Sequence, residues 1–195
     1  MRAIFCFVGR KRPTDEWNNI LDELGRPYVK FQDKDSFWYM GDQWKDDIQR
    51  ALDKHGRPAL SFGSSMGAWG ALYHQPQIQA HRVLAFTPQG TTIANEVRRI
   101  GGDKAERWAY NLDSVQGSRL PPPDGKSVIY FGDHRDDGIG DSGHKRLIVE
   151  AGYEINTIKL SKSNEHNIVG LLHAEGKLVD IIKEHLKAGA KSNDA

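Results

Sequence analysis

Residues 59–74 read ALSFGSSMGAWGALYH. The stretch opens on a short apolar run, Ala59 to Phe62, and ends in a helix-like segment, Met66 to His74. Between them, Gly63-Ser64-Ser65-Met66-Gly67 fits the pattern G-x-S-x-G. A strand that turns directly into a helix there holds the serine in a strained backbone conformation. It also brings strand and helix so close that side chains two before and two after the serine would clash. Gly63 and Gly67 remove those side chains. Ala68 and Gly70 let the helix pack tightly on a sheet. The helix N-terminus presents unpaired amides and the positive end of a dipole, which favour negative charge. Ser65 is therefore a candidate nucleophile, and the Met66 amide a candidate oxyanion donor.

Working outward, short apolar runs alternate with helix-like segments. Strands are expected at Arg2 to Val8, Tyr28 to Phe31, Ala59 to Phe62, Arg82 to Phe86, Ser127 to Phe131 and Ile155 to Leu160. Helices are expected at Asp15 to Leu24, capped by Thr14, and at Gln43 to His55, Met66 to His74, His144 to Ala151 and Asn167 to Leu186. Gly170 and Gly176 bend or divide the last of these. The alternation predicts an α/β fold, a mostly parallel six-stranded sheet with helices on both faces. Runs such as VLAF and VIYF suit strands buried on both sides. One domain over residues 1–188 and a disordered tail over 189–195 are expected. Thr87 to Lys126 breaks the rhythm, with GTTIANEVRRIGG and ERWAYN helix-like and LPPPDG a loop. Residues 88–126 are either a partial cap over a pocket or a longer helical crossover.

Composition narrows the classes of function. The 195 residues carry a net charge of +1, with 38% hydrophobic and 27% charged residues. That balance argues against a nucleic-acid or membrane surface as the main partner. No run is long enough to span a membrane, and the apolar start is too short for a signal peptide. The lone Cys6 excludes an intramolecular disulfide and, in its apolar run, reads as a core residue. A cytoplasmic location is expected.

In serine sites of this kind the chain order is serine, acid, histidine. The histidine belongs after the last strand, near the start of the last helix. His166 in NEHN lies there, and is the candidate general base. The acid belongs just past the fifth strand, in GDHRDDGIGDSGH. Asp133 ranks first and Asp136 second, with Asp137 also in that loop and Asp141 reading as a helix cap. The spacing D-x-x-D-D does not reproduce a calcium loop, so neither metal nor other cofactor is expected. The second oxyanion donor is expected from Gly9 or Arg10, at the end of the first strand. Trp38 and Tyr39 are either a stacking surface for substrate or core aromatics.

SFGSSMGAWGAL, followed by RVLAFTPQ and HNIVGLLHAEGKL, resembles a branch of bacterial α/β-hydrolases. These occur as domains of polysaccharide and capsule biosynthesis proteins, related to accessory-secretion proteins. QDKDSFWYMGD, with an Asp and a Trp-Tyr pair after the second strand, is similar to the same branch. The resemblance implies Ser65 as nucleophile, His166 as base and a small-molecule or glycan ester as substrate. It implies a minimal hydrolase fold, since nothing before Met1 supplies the usual opening hairpin. The expected reaction is ester hydrolysis through an acyl-Ser65 intermediate. An acyltransferase with the same triad, or a catalytically silent binding protein of the same fold, are the alternatives.

Overall fold

The computed structural model describes residues 1–9, 14–102, 104–133, 141–160 and 167–191. Six strands, β1 (Ile4–Val8), β2 (Tyr28–Gln32), β3 (Leu60–Ser64), β4 (Val83–Phe86), β5 (Ser127–Gly132) and β6 (Ile155–Ile158), form one sheet in the order β2-β1-β3-β4-β5-β6. Every neighbouring pair is parallel. The sheet is thus all-parallel, one step beyond the mostly parallel sheet expected.

Side-chain alternation divides the core into two layers. Phe5 and Phe7 of β1 point to one face, with Ala85 of β4 and Phe131 of β5. That face is covered by α2 (Asp42–His55), α3 (Met66–Tyr73), α5 (Ala94–Ile100), α6 (Ala105–Leu112) and α7 (Asp141–Glu150), after the short α4 (Gln75–Ile78). Ile4, Cys6 and Val8 point to the other face, with Leu84 and Phe86. There they meet α1 (Thr14–Glu23), α8 (Ile168–Ala174) and α9 (Leu178–Lys191). All residues of β1 and β4 are buried. Helices on both sides of a parallel sheet require such continuous apolar runs.

Several boundaries differ from the sequence reading. β6 stops at Ile158, two residues early. The last helix is divided at Gly176, which adopts φ +71, whereas Gly170 stays inside α8. α7 begins at Asp141, three residues early. Residues 87–126 contain α5, α6 and an isolated antiparallel bridge between Thr91 and Arg119. None of the helices, among the described residues, is long and apolar enough to cross a membrane.

The chain runs from β1 outward to β2, then back across β1 to β3. This reversal opens a crevice past the C-terminal ends of β1 and β3, where parallel α/β sheets hold ligands.

Candidate active site

Ser65 sits at that reversal, between β3 and α3, with φ 54 and ψ −117. A non-glycine residue rarely adopts this conformation, and the surroundings hold it there. The Ser65 amide donates to the Phe86 carbonyl of β4 at 2.8 Å, and the Ser65 carbonyl accepts from Trp69 at 3.1 Å. The glycines act as their spacing requires. A Cβ on Gly63 would overlap the Gly67 carbonyl group, and one on Gly67 would overlap the Phe7 carbonyl of β1. Met66 to Leu72 are all buried against the sheet.

A cavity of about 430 Å³ lies beside Ser65. Gly9 and Met66, two of the residues expected to supply oxyanion donors, are among its lining residues. Trp38 lines it as well, with its ring 6.2 Å from that of Trp108 in an edge-to-face arrangement. Lys104, Arg107, Trp108 and Asn111, at the start and on one face of α6, complete much of the wall. Asn167 also lines it and caps α8, accepting the Gly170 amide at 3.1 Å. The cavity size suits a small ligand.

Gln89, three residues past β4, is the polar contact that the sequence did not single out. It is buried, and its side-chain Nε2 donates to Ser65 Oγ at 3.1 Å. Trp38 Nε1 donates to Gln89 Oε1, also at 3.1 Å. An indole can only donate, so it fixes which end of the amide faces the serine. The next residue, Gly90, donates its amide to Nδ1 of the buried His144 at 3.1 Å.

The loop carrying Trp38 is built around Asp33, a buried carboxylate just past β2. Its Oδ1 accepts the amides of Asp35 and Ser36, at 3.1 and 3.0 Å, and its Oδ2 accepts that of Tyr39 at 3.1 Å. These bonds hold Ser36, Trp38 and Tyr39 at φ 62, 54 and 59. Burial raises the Asp33 pKa, outweighing the amides, which pull it down.

Tyr39 is not a cavity residue. Its ring is fully buried, edge-on to Phe7 and packed on Trp44. Its hydroxyl donates to the Val8 carbonyl and lies 3.1 Å from that of Phe31. Of the Trp-Tyr pair, the structure therefore brings Trp38 to the site and puts Tyr39 in the core. The left-handed turn sends consecutive side chains in unrelated directions.

Asp133 lies at the exposed C-terminal end of β5. Its amide donates to the Ile158 carbonyl and its Oδ1 accepts from Leu160, both at 3.0 Å, which ties the ends of β5 and β6 together. Asp141 is buried at the start of α7. His166, Asp136, Asp137 and Arg10 lie outside the described residues. Among the described residues, no group of three or more His, Cys, Asp or Glu is placed to hold a metal ion.

Comparison with family models finds no match, and comparison with curated proteins finds none. Solved structures do match. One is the Glycosylation Associate Protein (Gap123) complex of Streptococcus agalactiae, with TM-score 0.59 and 13% identity over 95% of this chain. The chain spans 42% of the length of that protein. A second is the capsule O-acetyltransferase of Neisseria meningitidis serogroup A, with TM-score 0.56 and 14% identity, covering 96% of this chain and 87% of that one. A third comes from two fungal esterases of Rhizomucor miehei, with TM-score 0.56 and 12% identity, covering 99% of this chain and 76% of that one. At such identities the likeness is one of fold. The six-stranded parallel sheet, its helical layers and these neighbours together make this an α/β-hydrolase fold.

Proposed function

We propose that the chain is a serine esterase that transfers an acyl group from an ester to water through Ser65. The observation that carries this reading is the backbone of Ser65, strained at φ 54 and ψ −117 between β3 and α3 and opening on a cavity. A strained serine at a helix N-terminus beside a ligand-sized space is what nucleophilic attack on a carbonyl needs.

In this reading His166 takes the Ser65 proton and returns it to the leaving alcohol. Support comes from Asn167, the next residue in the chain, which lines the same cavity. Asp133 is the acid that orients the imidazole; its position at the end of β5 and its bond to Leu160, shortly before that histidine in sequence, support the assignment. The amides of Met66 and Gly9 stabilise the tetrahedral oxyanion, each by about 3 kcal/mol. Helix α6 covers the cavity as part of a partial cap. Trp38 lends a flat wall to the substrate.

Transfer to an alcohol acceptor is the second reading, favoured by the fold shared with a capsule O-acetyltransferase over 96% of this chain. It uses the same acyl-serine and differs only in what attacks it.

A fluorophosphonate probe tests the nucleophile. The expected result is one adduct on Ser65 and none on Ser65→Ala, with ester hydrolysis falling at least about 1000-fold in that variant. Absence of an adduct, or equal labelling of both proteins, overturns the proposal. Product analysis with and without an added alcohol separates hydrolysis from transfer.

A further inference from the structure

Charge in the cavity is one-sided. Lys104 and Arg107 line it, and no described lining residue is an Asp or Glu. Both cations are exposed, and among the described residues neither has a carboxylate partner. Of the acids on the same stretch, Asp103 lies outside the described residues and the other two are engaged elsewhere: Arg98 takes Glu106 at 3.2 Å and also pairs with Asp113. Lys104 occupies the N-cap position of α6, without a side-chain cap bond, and Arg107 stands in its first turn, where the helix dipole adds to their field. Trp38 and Trp108, edge-to-face, line the same cavity and give it an apolar wall.

We infer that Lys104 and Arg107 form an anion-binding subsite, so that the ester handled at Ser65 carries a carboxylate or phosphate group. This rests on the proposed reaction and names its substrate class. A neutral ester gains from the tryptophan wall alone. An anionic one gains from the wall and from two donors that, among the described residues, have no competing carboxylate. Arginine and lysine serve both anions: the guanidinium fork matches two oxygens, and the ammonium acts as a point charge. A cleft lined by one sign of charge also concentrates oppositely charged ligands before they bind.

Tryptophan fluorescence of the Ser65→Ala protein measures binding without turnover. The probes are phenyl acetate, meta-acetoxybenzoate and meta-acetoxyphenyl phosphate, which share the phenyl acetate core and differ in the meta group and its charge. The two anions are expected to bind about tenfold more tightly than phenyl acetate, and raised salt to shrink the difference. Whichever of the two binds more tightly identifies the preferred anion. Lys104→Gln/Arg107→Gln should abolish the preference. Lys104→Glu/Arg107→Glu should invert it toward meta-acetoxyphenyltrimethylammonium, which a merely structural role for these side chains would not do. Circular dichroism checks that each variant is folded. Equal binding of neutral and anionic probes, or a preference that survives the double substitutions, overturns the inference. Its failure is distinguishable from failure of the esterase reading, because fluorophosphonate labelling of Ser65 depends on neither cation.

Discussion

Among the loops at the C-terminal edge of the sheet that hold non-glycine residues at positive φ, those at Ser65 and after β2 do so by opposite means. The turn at Ser65 is shaped by subtraction: side chains are missing at Gly63 and Gly67, where any Cβ would meet backbone. The loop after β2 is shaped by addition: the Asp33 carboxylate gathers three backbone amides and holds Ser36, Trp38 and Tyr39 in place. The two meet through one chain of hydrogen bonds, from Trp38 to Gln89 to Ser65. A steric device tolerates no compromise, because close-packed backbone has nowhere to go. A polar device fails more gradually, one bond at a time.

Breaking the steric loop should have the largest effect. Gly67→Ala forces a methyl group into the Phe7 carbonyl. It should cost about 3 kcal/mol or more of stability and abolish labelling of Ser65. Urea unfolding and the fluorophosphonate assay measure the two effects. A variant as stable as the parent would mean that the turn at Ser65 has room for a side chain at position 67.

Removing the polar anchor should do less. Asp33→Ala leaves the buried Tyr39 amide and the part-buried amides of Asp35 and Ser36 without their acceptor and should cost about 2 kcal/mol while leaving the sheet intact. Asp33→Asn sharpens the point through pH. The folded-state pKa of Asp33 lies above its unfolded value, so its contribution is full below the unfolded pKa and is lost as pH rises through the folded one. Stability curves of parent and Asp33→Asn across the acid range should therefore differ in slope, the parent losing more as pH rises. Parallel curves would show that the carboxylate titrates as it does in the unfolded chain.

Cutting the link between the loops should do least. Trp38→Phe keeps an aromatic wall but removes the donor that orients Gln89. A stability loss of about 1 kcal/mol is expected. The rate of ester hydrolysis should fall several-fold, with little change in KM, because the Gln89 amide is then free to turn away from Ser65. Unchanged kcat would mean that Gln89 needs no such support.

The same contrast explains what the sequence could reveal. Steric exclusion stamps glycine at fixed offsets from Ser65, so the turn, its strand and its helix could be read directly. Fully buried strands appear as apolar runs, which made the sheet legible too. Hydrogen bonding to amides leaves a fainter trace: Asp33 and Asp35 look alike in QDKDS, and no glycine marks Trp38 or Tyr39 as left-handed. The turn between them decides which ring reaches the cavity, so Tyr39 could not be told from Trp38 in advance. Gln89 stands in TPQG with nothing in its spacing to single it out. Lys104 and Arg107 look like any solvated helix residues until the fold sets them around the cavity that Ser65 also lines. For His166, the proposed base, the structure adds the position of the next residue, Asn167.

Cys6, the one cysteine of the chain, is fully buried in the middle of β1, the strand that β2 and β3 flank. Burial pushes its thiol pKa far up, against a smaller pull from Lys30. An alkylating reagent therefore finds no reactive thiolate while the sheet is closed. The rate at which this sulfur becomes modified thus clocks the excursions in which the innermost layer comes apart, a gauge of breathing already built into the molecule.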